Sequence, residues 1–353
     1  MTQLQTQLTR VIEDGIEDGR VRSWRDACAV SLRTLDKPLP PSDDLVIRAA
    51  MSSPDVSAVF TARVNSQILA GYEGEPDSTS GWIAEVPSVN FLGSDLFAAD
   101  GGGRLEKLPR GGTANDLQFS MKRERLRIAR YAGTLKLDEQ DLANAGPISL
   151  TDAAAREVGA AARRLKLDLI YSLLLSNPTM GDDSTALFHA DHGNLGAVTL
   201  DETNLGAAWS AVASQTIDDP THDDSALHLN LQPSFLIVAP ALVAVARKAV
   251  RNLTLDDGQD LEVRAESRLG PVGVVDPDDH DVVVEGDNTA WLLAARAAQR
   301  PGLVVSGLNG SLAPSIRQTD LDRGQWGRQW DVVLDIGAAA LDWRPLYYSQ
   351  SNG

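Results

Sequence analysis

The chain has 353 residues, of which 43% are hydrophobic, and its formal net charge at pH 7 is −17. Its length predicts about two domains, and its apolar content excludes wholesale disorder. The strong negative charge argues against a protein that wraps nucleic acid, because phosphate groups repel an acidic surface.

Cysteine usage and hydropathy predict a soluble intracellular protein. Cys28 is the only cysteine, which excludes an intrachain disulfide and is typical of a reducing cytoplasm. The N-terminus has no apolar stretch of the kind that a secretory signal requires. The longest apolar run, residues 235–246, is too short to span a membrane and contains Pro240.

Two amphipathic helices are predicted at the N-terminus. Apolar residues recur at helical spacing up to Asp18, and again over residues 23–35. Residues 37–43, with the sequence KPLPPSD, form a rigid spacer because proline cannot continue a helix. Residues 1–50 are therefore predicted to be a helical arm. Either the arm is left over from a region that is removed by cleavage near Ala50 during maturation, or it is retained. We prefer retention, with the arm in contact with a neighbouring chain.

Another helix is predicted to follow the spacer. Ser53, Pro54 and Asp55 are typical of a helix start, since proline at an early position has no helical hydrogen bond to lose. A turn-rich stretch at residues 71–81 then leads to a predicted strand at residues 82–86.

Residues 88–131 have the pattern of a long extended hairpin. Glycines interrupt two strand-like limbs, and the return limb alternates apolar with polar residues. That alternation predicts a half-buried strand with Leu117, Phe119 and Met121 on one side. Because an isolated hairpin is marginal in water, we expect a second chain to supply the missing face. A flexible surface loop is the alternative.

Basic residues concentrate in this hairpin, although the chain as a whole is acidic. Residues 122–136 contain six basic residues and one acid, whereas residues 167–246 contain no lysine or arginine. This asymmetry suggests electrostatic docking of one subunit onto another, and a solvated strand is the alternative. The basic residues that we expect at a subunit interface are Arg104, Lys107, Arg110, Lys122, Arg123, Arg125 and Arg127.

A long helix is predicted from Ser149 to Ser176, because apolar residues recur with the helical period. Its roughly 27 residues would span about 40 Å, and the apolar run at 167–175 is expected to be core. Further helices are expected at 205–215 and 240–250, and strands at 234–238, 261–266, 282–284, 291–295, 332–336 and 338–343. Helices and strands intermixed without a βαβ repeat indicate the α+β class.

Histidine and aspartate cluster in the segment NPTMGDDSTALFHADHGNLG, residues 177–196. His189, Asp191 and His192 resemble part of a metal or hydrolase site, but a metal needs three or four converging donors. The chain's other histidines show no ligand spacing. We therefore expect a structural turn that includes these three residues and Asn194, with side chains bonded to the backbone.

Motifs for nucleotide binding, metal binding or catalysis are not found in the sequence. It has no P-loop, no H-E-x-x-H and no G-x-S-x-G elbow, and its paired aspartates lack the spacing of an EF-hand. We expect neither a cofactor nor an enzymatic activity.

Residues 177–196 resemble the signature of tailed-phage major capsid proteins of the Mu-type head-subunit family, which includes relatives fused to a prohead protease. The segment RQWDVVLDIGAAALDWR, residues 328–344, is similar to the last strands of that family, and the resemblance covers roughly residues 51–348. It implies the α+β Hong Kong-97-type fold. The implied parts are an N-terminal helical arm (1–50), the arm and start of the peripheral domain (51–87), an extended loop (88–131), the peripheral domain with its spine helix (132–185), an axial domain (186–310) and returning strands of the peripheral domain (311–353).

The resemblance also implies a structural function. Copies of the chain would associate as pentamers and hexamers into an icosahedral head around double-stranded DNA, without sequence-specific or membrane binding. Further partners would be portal, scaffold, protease or decoration proteins, and the location would be the virion after assembly in the host cytoplasm. Two alternatives stay open: an encapsulin-like compartment shell, and a soluble metal-dependent hydrolase that uses His189, Asp191 and His192.

Overall fold

The computed structural model divides into two compact units. It describes residues 2–102, 105, 107–108, 110–114, 116–138, 148–181, 183–219, 226–253, 261–319 and 327–351. The first unit comprises Met1–Pro76, Arg130–Arg164 and Ala313–Asp335, and the second comprises Asp77–Ala129, Leu165–Leu312 and Ile336–Gly353. Each unit is therefore assembled from segments that are far apart in the sequence.

The first unit begins with helices α1 (Gln3–Glu17), α2 (Trp24–Thr34), α3 (Asp43–Met51) and α4 (Pro54–Gly74). Capping boxes start α1 and α2, where the side chains of Thr2 and Ser23 accept the N–H of the residue three positions on. Pro54 occupies the first turn of α4, as the sequence predicted. The predicted spacer is shorter than expected, because α3 begins at Asp43.

The N-terminal helices share one hydrophobic core with α4. The rings of Trp24 and Phe60 lie 4.5 Å apart, and Leu8 is fully buried in the same cluster. Cys28 is also buried there, and burial raises the pKa of its thiol to about 12. The expected separate arm is therefore not what the structure has. The apolar faces of α1 and α2 are covered by the chain's own residues, so the helices belong to the first unit.

The long helix α5 (Ile148–Ser176) has the extent that the sequence predicted, and in the first unit it contacts α4 closely. A Cβ atom on Gly159 would lie 1.9 Å from the carbonyl oxygen of Ile68, and one on Gly71 would lie 2.0 Å from that of Arg156. Only glycine at both positions allows the two backbones to approach this far. Leu167, Ile170 and Leu174 at the other end of α5 are buried, which confirms the predicted core.

The remaining strands of the first unit are β4 (Ala129–Asp138), β14 (Ser315–Thr319) and the first part of β15 (Gly327–Ala340). β14 is antiparallel to residues 329–333 of β15, and β4 also pairs with β15. β15 is one strand where the sequence predicted two. Trp330 and Val332 point into the helical core.

A mixed sheet with the strand order β5-β16-β12-β8-β9 organises the second unit. Its strands are β5 (Leu195–Gly196), β8 (Pro233–Val238), β9 (Glu262–Ala265), β12 (Trp291–Ala295) and β16 (Leu346–Ser349). Helices α6 (Glu202–Ala213) and α7 (Val243–Asn252) cover it, with Leu205 and Ala246 buried against Leu236. The strands predicted at 234–238, 261–266 and 291–295 are confirmed within a residue or two, whereas β16 was not predicted.

The second unit contains three further strand arrangements. β1 (Ile83–Ser88) is parallel to β13 (Leu303–Leu308), which is antiparallel to residues 336–340 of β15. β2 (Ser94–Gly102) and β3 (Phe119–Leu126) form the predicted hairpin, and β6 (Thr216–Asp218) and β7 (Ala226–His228) extend its sheet. β10 (Val274–Val275) and β11 (Val283–Val284) form a short hairpin. The α+β class is confirmed. None of the described helices is long and apolar enough to cross a membrane.

Candidate functional site

The predicted histidine turn is a single 3-10 turn, Ala190–His192, that leads into β5. The Nδ1 atom of His189 accepts the backbone N–H of Asp191 at 3.2 Å and lies 3.3 Å from the exposed carboxylate of the same residue. Gly193 ends the turn with a φ of 64°, a left-handed conformation that glycine adopts without strain. The side chain of His189 thus caps a backbone group.

The imidazole of His192 is buried and bonded on both sides. Its Nε2 atom lies 2.9 Å from the carboxylate of Asp183, and its Nδ1 atom lies 3.3 Å from the carbonyl oxygen of Leu187. Burial alone would raise the pKa of Asp183, but hydrogen bonds from the N–H of Thr185 and from His192 outweigh it and lower that pKa below its ordinary value.

Two asparagines fix the loops on either side of the turn. Asn194 accepts the N–H of His189 at 3.0 Å and donates to the carbonyl oxygen of Leu187 at 2.8 Å. Asn177 makes a reciprocal pair with the backbone of Phe188, at 2.7 and 3.0 Å. Asn177 has a positive φ of 47°, which asparagine tolerates better than most residues. Sequence reasoning included Asn194 but gave no role to Asn177.

The described side chains of this turn bond to backbone groups and to one another. The rings of His189 and His192 meet edge to face, with centroids 6.1 Å apart. Among the described residues, no group of three or more histidine, cysteine, aspartate or glutamate side chains is placed to hold a metal ion. The hydrogen bonds instead hold the backbone of the turn, which is the chemistry of a structural element.

The hairpin of β2 and β3 exposes large apolar side chains beside charged ones on its outward face. Phe97, Phe119 and Met121 on its outward face are 61%, 65% and 66% exposed. The sequence predicted a half-buried return strand, and in the single chain the apolar side is the uncovered one. Large apolar side chains exposed among the charged Asp95, Arg123 and Arg125 are typical of a contact with another chain.

The inward face of the hairpin combines the buried Leu126 with charged side chains that are paired within the chain. The Nζ atom of Lys122 lies 3.4 Å from the carboxylate of Asp100, and Glu124 accepts the N–H of Gly181 at 2.7 Å. The side chain of Lys122 is only 8% exposed. Lys122 was expected at a subunit interface, and in the single chain its side chain is buried beside Asp100. The lysine is used inside its own chain because its position on β3 points inward.

The other predicted interface residues are exposed where the structure describes them. Arg123 is 68% exposed and lies 3.6 Å from Asp95 across the hairpin, on the same face as Phe97. Arg125, also on that face, donates to the carbonyl oxygen of Leu92 at 3.3 Å. The remaining exposed members are Lys107, Arg110 and Arg127. Arg104 lies outside the described residues.

A buried ionic network, which sequence reasoning missed, holds the hairpin to the rest of the second unit. Arg344 donates to the carboxylate of Asp100 at 2.6 Å and to the carbonyl oxygen of Thr216 at 2.9 Å. Arg300 pairs with the buried carboxylate of Asp342 and donates to the carbonyl oxygen of Ala99 at 2.5 Å. One sign of this network is visible in the sequence: Asp342 and Arg344 flank Trp343 directly after an apolar strand, where charged residues are expected to be paired.

Comparison with known proteins gives a consistent result. The model of a family described as phage capsid protein matches residues 123–349. The capsid protein of the cyanophage P-SCSP1u is 9% identical, with 79% of this chain and 89% of that chain covered and a TM-score of 0.50. The capsid protein of Ralstonia phage GP4 is 11% identical, with 76% and 86% covered and a TM-score of 0.48.

A virus-like particle from Pyrococcus furiosus is 10% identical, with 82% of this chain and 99% of that chain covered and a TM-score of 0.47. No curated protein matches the sequence. The likeness to the cyanophage protein is one of fold, and the Hong Kong-97-type fold that the sequence resemblance implied is confirmed.

Proposed function

The chain belongs to the phage capsid protein family, and we propose on that basis that its copies assemble into an icosahedral head around double-stranded DNA. Its role as a structural capsid protein follows from the family. The observation that carries the proposal for its assembly is the group of exposed apolar side chains on the hairpin of β2 and β3. Phe97, Phe119 and Met121 contact mostly water in the single chain, and a second surface that covers them stabilises the association.

The occupant of that face is a neighbouring copy of the same chain. A hairpin that docks on a different part of the next subunit makes a heterologous contact, and such contacts close into rings when the rotation permits. Pentamers and hexamers are the rings that an icosahedral shell needs. The exposed Arg123, Arg125 and Arg127 steer this docking, because the rest of the chain is strongly acidic.

Residues 1–50 remain part of the mature subunit in this proposal. The support is the core that α1 and α2 share with α4, including the contact of Trp24 with Phe60. Removal of the segment would expose that apolar surface to water. Mass spectrometry of purified particles tests it: a mature subunit that begins near Met51 would contradict retention.

The protein acts without a catalytic site or cofactor in this proposal. The support is that His189 and His192 are both engaged in hydrogen bonds inside the turn. Stoichiometric zinc or manganese in the purified protein would contradict a purely structural role for the two histidines.

The subunit is located in the virion after assembly in the host cytoplasm, as a Mu-type head subunit with portal, scaffold, protease and decoration proteins as partners. The enclosed DNA is held without sequence-specific contacts. The net charge of −17 supports this, because an acidic subunit repels phosphates and leaves the DNA loosely bound.

Electron microscopy of the expressed protein is the direct test. We expect closed particles from the full chain, and a soluble, folded but unassembled subunit after deletion of residues 101–112. A small monodisperse full-length protein would contradict the proposal, as would a deletion variant that unfolds, since the hairpin would then belong to the subunit's own core. Particles that package protein in place of DNA would indicate an encapsulin-like shell.

A further inference from the structure

The short hairpin of β10 and β11 exposes a second apolar face. Val275 and Val283 are cross-strand partners and are 47% and 50% exposed. Val272 and Val282 beside them are exposed as well. Apolar side chains grouped in this way on an exposed hairpin mark a contact surface more often than isolated ones do. Residues 272–285 are called the valine hairpin below.

Acidic residues surround the valines. Asp278, Asp279 and Asp281 lie in the turn, and Glu285 follows β11; all four are exposed. The turn has a defined shape, because Asp276 and Asp279 accept backbone N–H groups two residues ahead, at 3.0 and 3.2 Å. The valine hairpin therefore presents apolar and negative groups together in a fixed arrangement.

Helix α7 carries the complementary features in the same unit. Arg247, Lys248 and Arg251 are exposed on one side, and the sequence has no other lysine or arginine between Leu167 and Val263. Val245 is exposed beside them. The opposite side of α7 packs into the core of the second unit through Ala246 and Ala249, so the basic side is held outward.

We propose that the valine hairpin of one subunit docks on the basic side of α7 of a second copy of this chain. The inference rests on the proposed function, in which copies associate, and it names one of the contacts. Opposite charges would set the register and speed association, while the valines would supply the apolar area that ion pairs alone do not. The two surfaces differ, so the contact is heterologous and generates a ring when it closes.

DNA is a less suitable occupant for α7. Three cations make a small footprint for a phosphate backbone, and a chain with a charge of −17 repels it. DNA would also leave the exposed valines uncovered. A second copy of the chain would cover the exposed valines and also place acidic residues against the basic side of α7.

A charge exchange tests the contact. The R247E/K248E/R251E variant and the D278K/D279K/D281K variant each place like charges at the contact, and each is expected to lose particles under electron microscopy. A chain with all six substitutions restores opposite charges and is expected to recover them. The control combines R247E/K248E/R251E with D14K/E17K/D18K at exposed positions in the last turn of α1 and directly after it. It has the same net charge of −17 as the exchanged chain and is expected to stay unassembled.

Sedimentation separates this inference from the proposed function. At low salt an equimolar mixture of the two triple variants is expected to form larger species than either variant alone. If the wild-type chain forms no particles, the proposed function fails while the mixture still decides the contact. The inference is overturned if the six-fold exchange recovers no more particles than the control, or if the mixture sediments no faster than the separate variants. It is also overturned if the α7 variant assembles normally and loses only DNA.

Discussion

The imidazole of His192 lies parallel to the indole of Trp343, with ring centroids 4.2 Å apart and planes inclined by 4°. The guanidinium of Arg344 also lies over that indole, 4.6 Å from its centroid, and continues to Asp100 on β2. The histidine turn is thus connected through the last part of the chain to the hairpin. The two sequence segments that carry the resemblance to phage capsid proteins meet at this stack.

We expect His192→Phe to destabilise the protein by about 1.5–3 kcal/mol. Phenylalanine keeps the stacking on Trp343 but loses the hydrogen bond to Asp183, and a hydrogen bond to a charged group contributes about that much. His189→Phe is the matched control, and it should cost less because His189 is more exposed. Urea unfolding of the soluble subunit measures both. Equal losses of stability in the two variants would show that the buried hydrogen bond between His192 and Asp183 contributes no more than the exposed contact of His189.

Asp183 should make stability depend on pH. Its pKa is lower in the folded chain than in the unfolded chain. At a pH between these two pKa values, the unfolded state therefore binds more protons than the folded state. The resulting stabilisation is fully present above the unfolded pKa and is lost as the pH falls through the folded pKa. We therefore expect Asp183→Asn to be less stable than wild type at neutral pH and to lose less stability on acidification. Unfolding free energies at about pH 7 and about pH 3 measure this. An equal change of unfolding free energy between the two pH values in wild type and Asp183→Asn would contradict this prediction.

The elements that follow from local pattern were predicted well. The long helix α5 has an uninterrupted helical period, and the hairpin of β2 and β3 combines alternation with glycine. The strand β13 was missed, although Leu303–Leu308 is a short apolar run bounded by glycine and asparagine. Such a run is typical of a strand covered on both faces and shows no alternation.

The orientation of the hairpin could not be predicted from the sequence. Alternation defines two faces of a strand but does not say which one the rest of the chain covers. That choice depends on the position of Asp100, next to a bulge in β2, and on Arg344, which is far away in the sequence. The sequence therefore predicted an interface role for both Arg123 and Lys122. Only the fold shows that Arg123 is exposed and that Lys122 is buried.

We expect Gly159→Ala to destabilise the first unit by about 1–3 kcal/mol, because the new methyl group would overlap the carbonyl oxygen of Ile68 and force α4 and α5 apart. Gly74→Ala is the control in the same helix pair, since a Cβ there would meet nothing within 4 Å. It should be neutral or stabilising by up to about 1 kcal/mol. Thermal unfolding of both variants is the measurement. A neutral Gly159→Ala would contradict the close approach.

Substitution of Lys122 should lower the stability of the subunit, whereas substitution of Arg123 should slow its assembly. Lys122→Met is expected to cost about 1–3 kcal/mol of stability, less than for a buried charge left wholly unpaired, because Asp100 keeps Arg344. Arg123→Met should change stability by less than about 0.5 kcal/mol, since its side chain is in solvent. It should slow assembly most at low salt, where screening is weakest. Urea unfolding and light scattering give the two readouts. The reverse pattern would place Lys122 at the interface after all.

The apolar face of the hairpin should be needed for assembly and not for folding. We expect F97S/F119S/M121S to leave the free energy of unfolding of the subunit within about 1 kcal/mol of wild type, because these side chains contact mostly water in the single chain. The same variant should form no particles, since the neighbouring copy would have only polar side chains to cover. The matched control is F97L/F119L/M121L, which keeps the face apolar and should still assemble. Unfolding titrations and particle counts by electron microscopy measure the two effects. Loss of folding in the serine variant, or normal particles from it, would show that the outward face is not the contact between subunits.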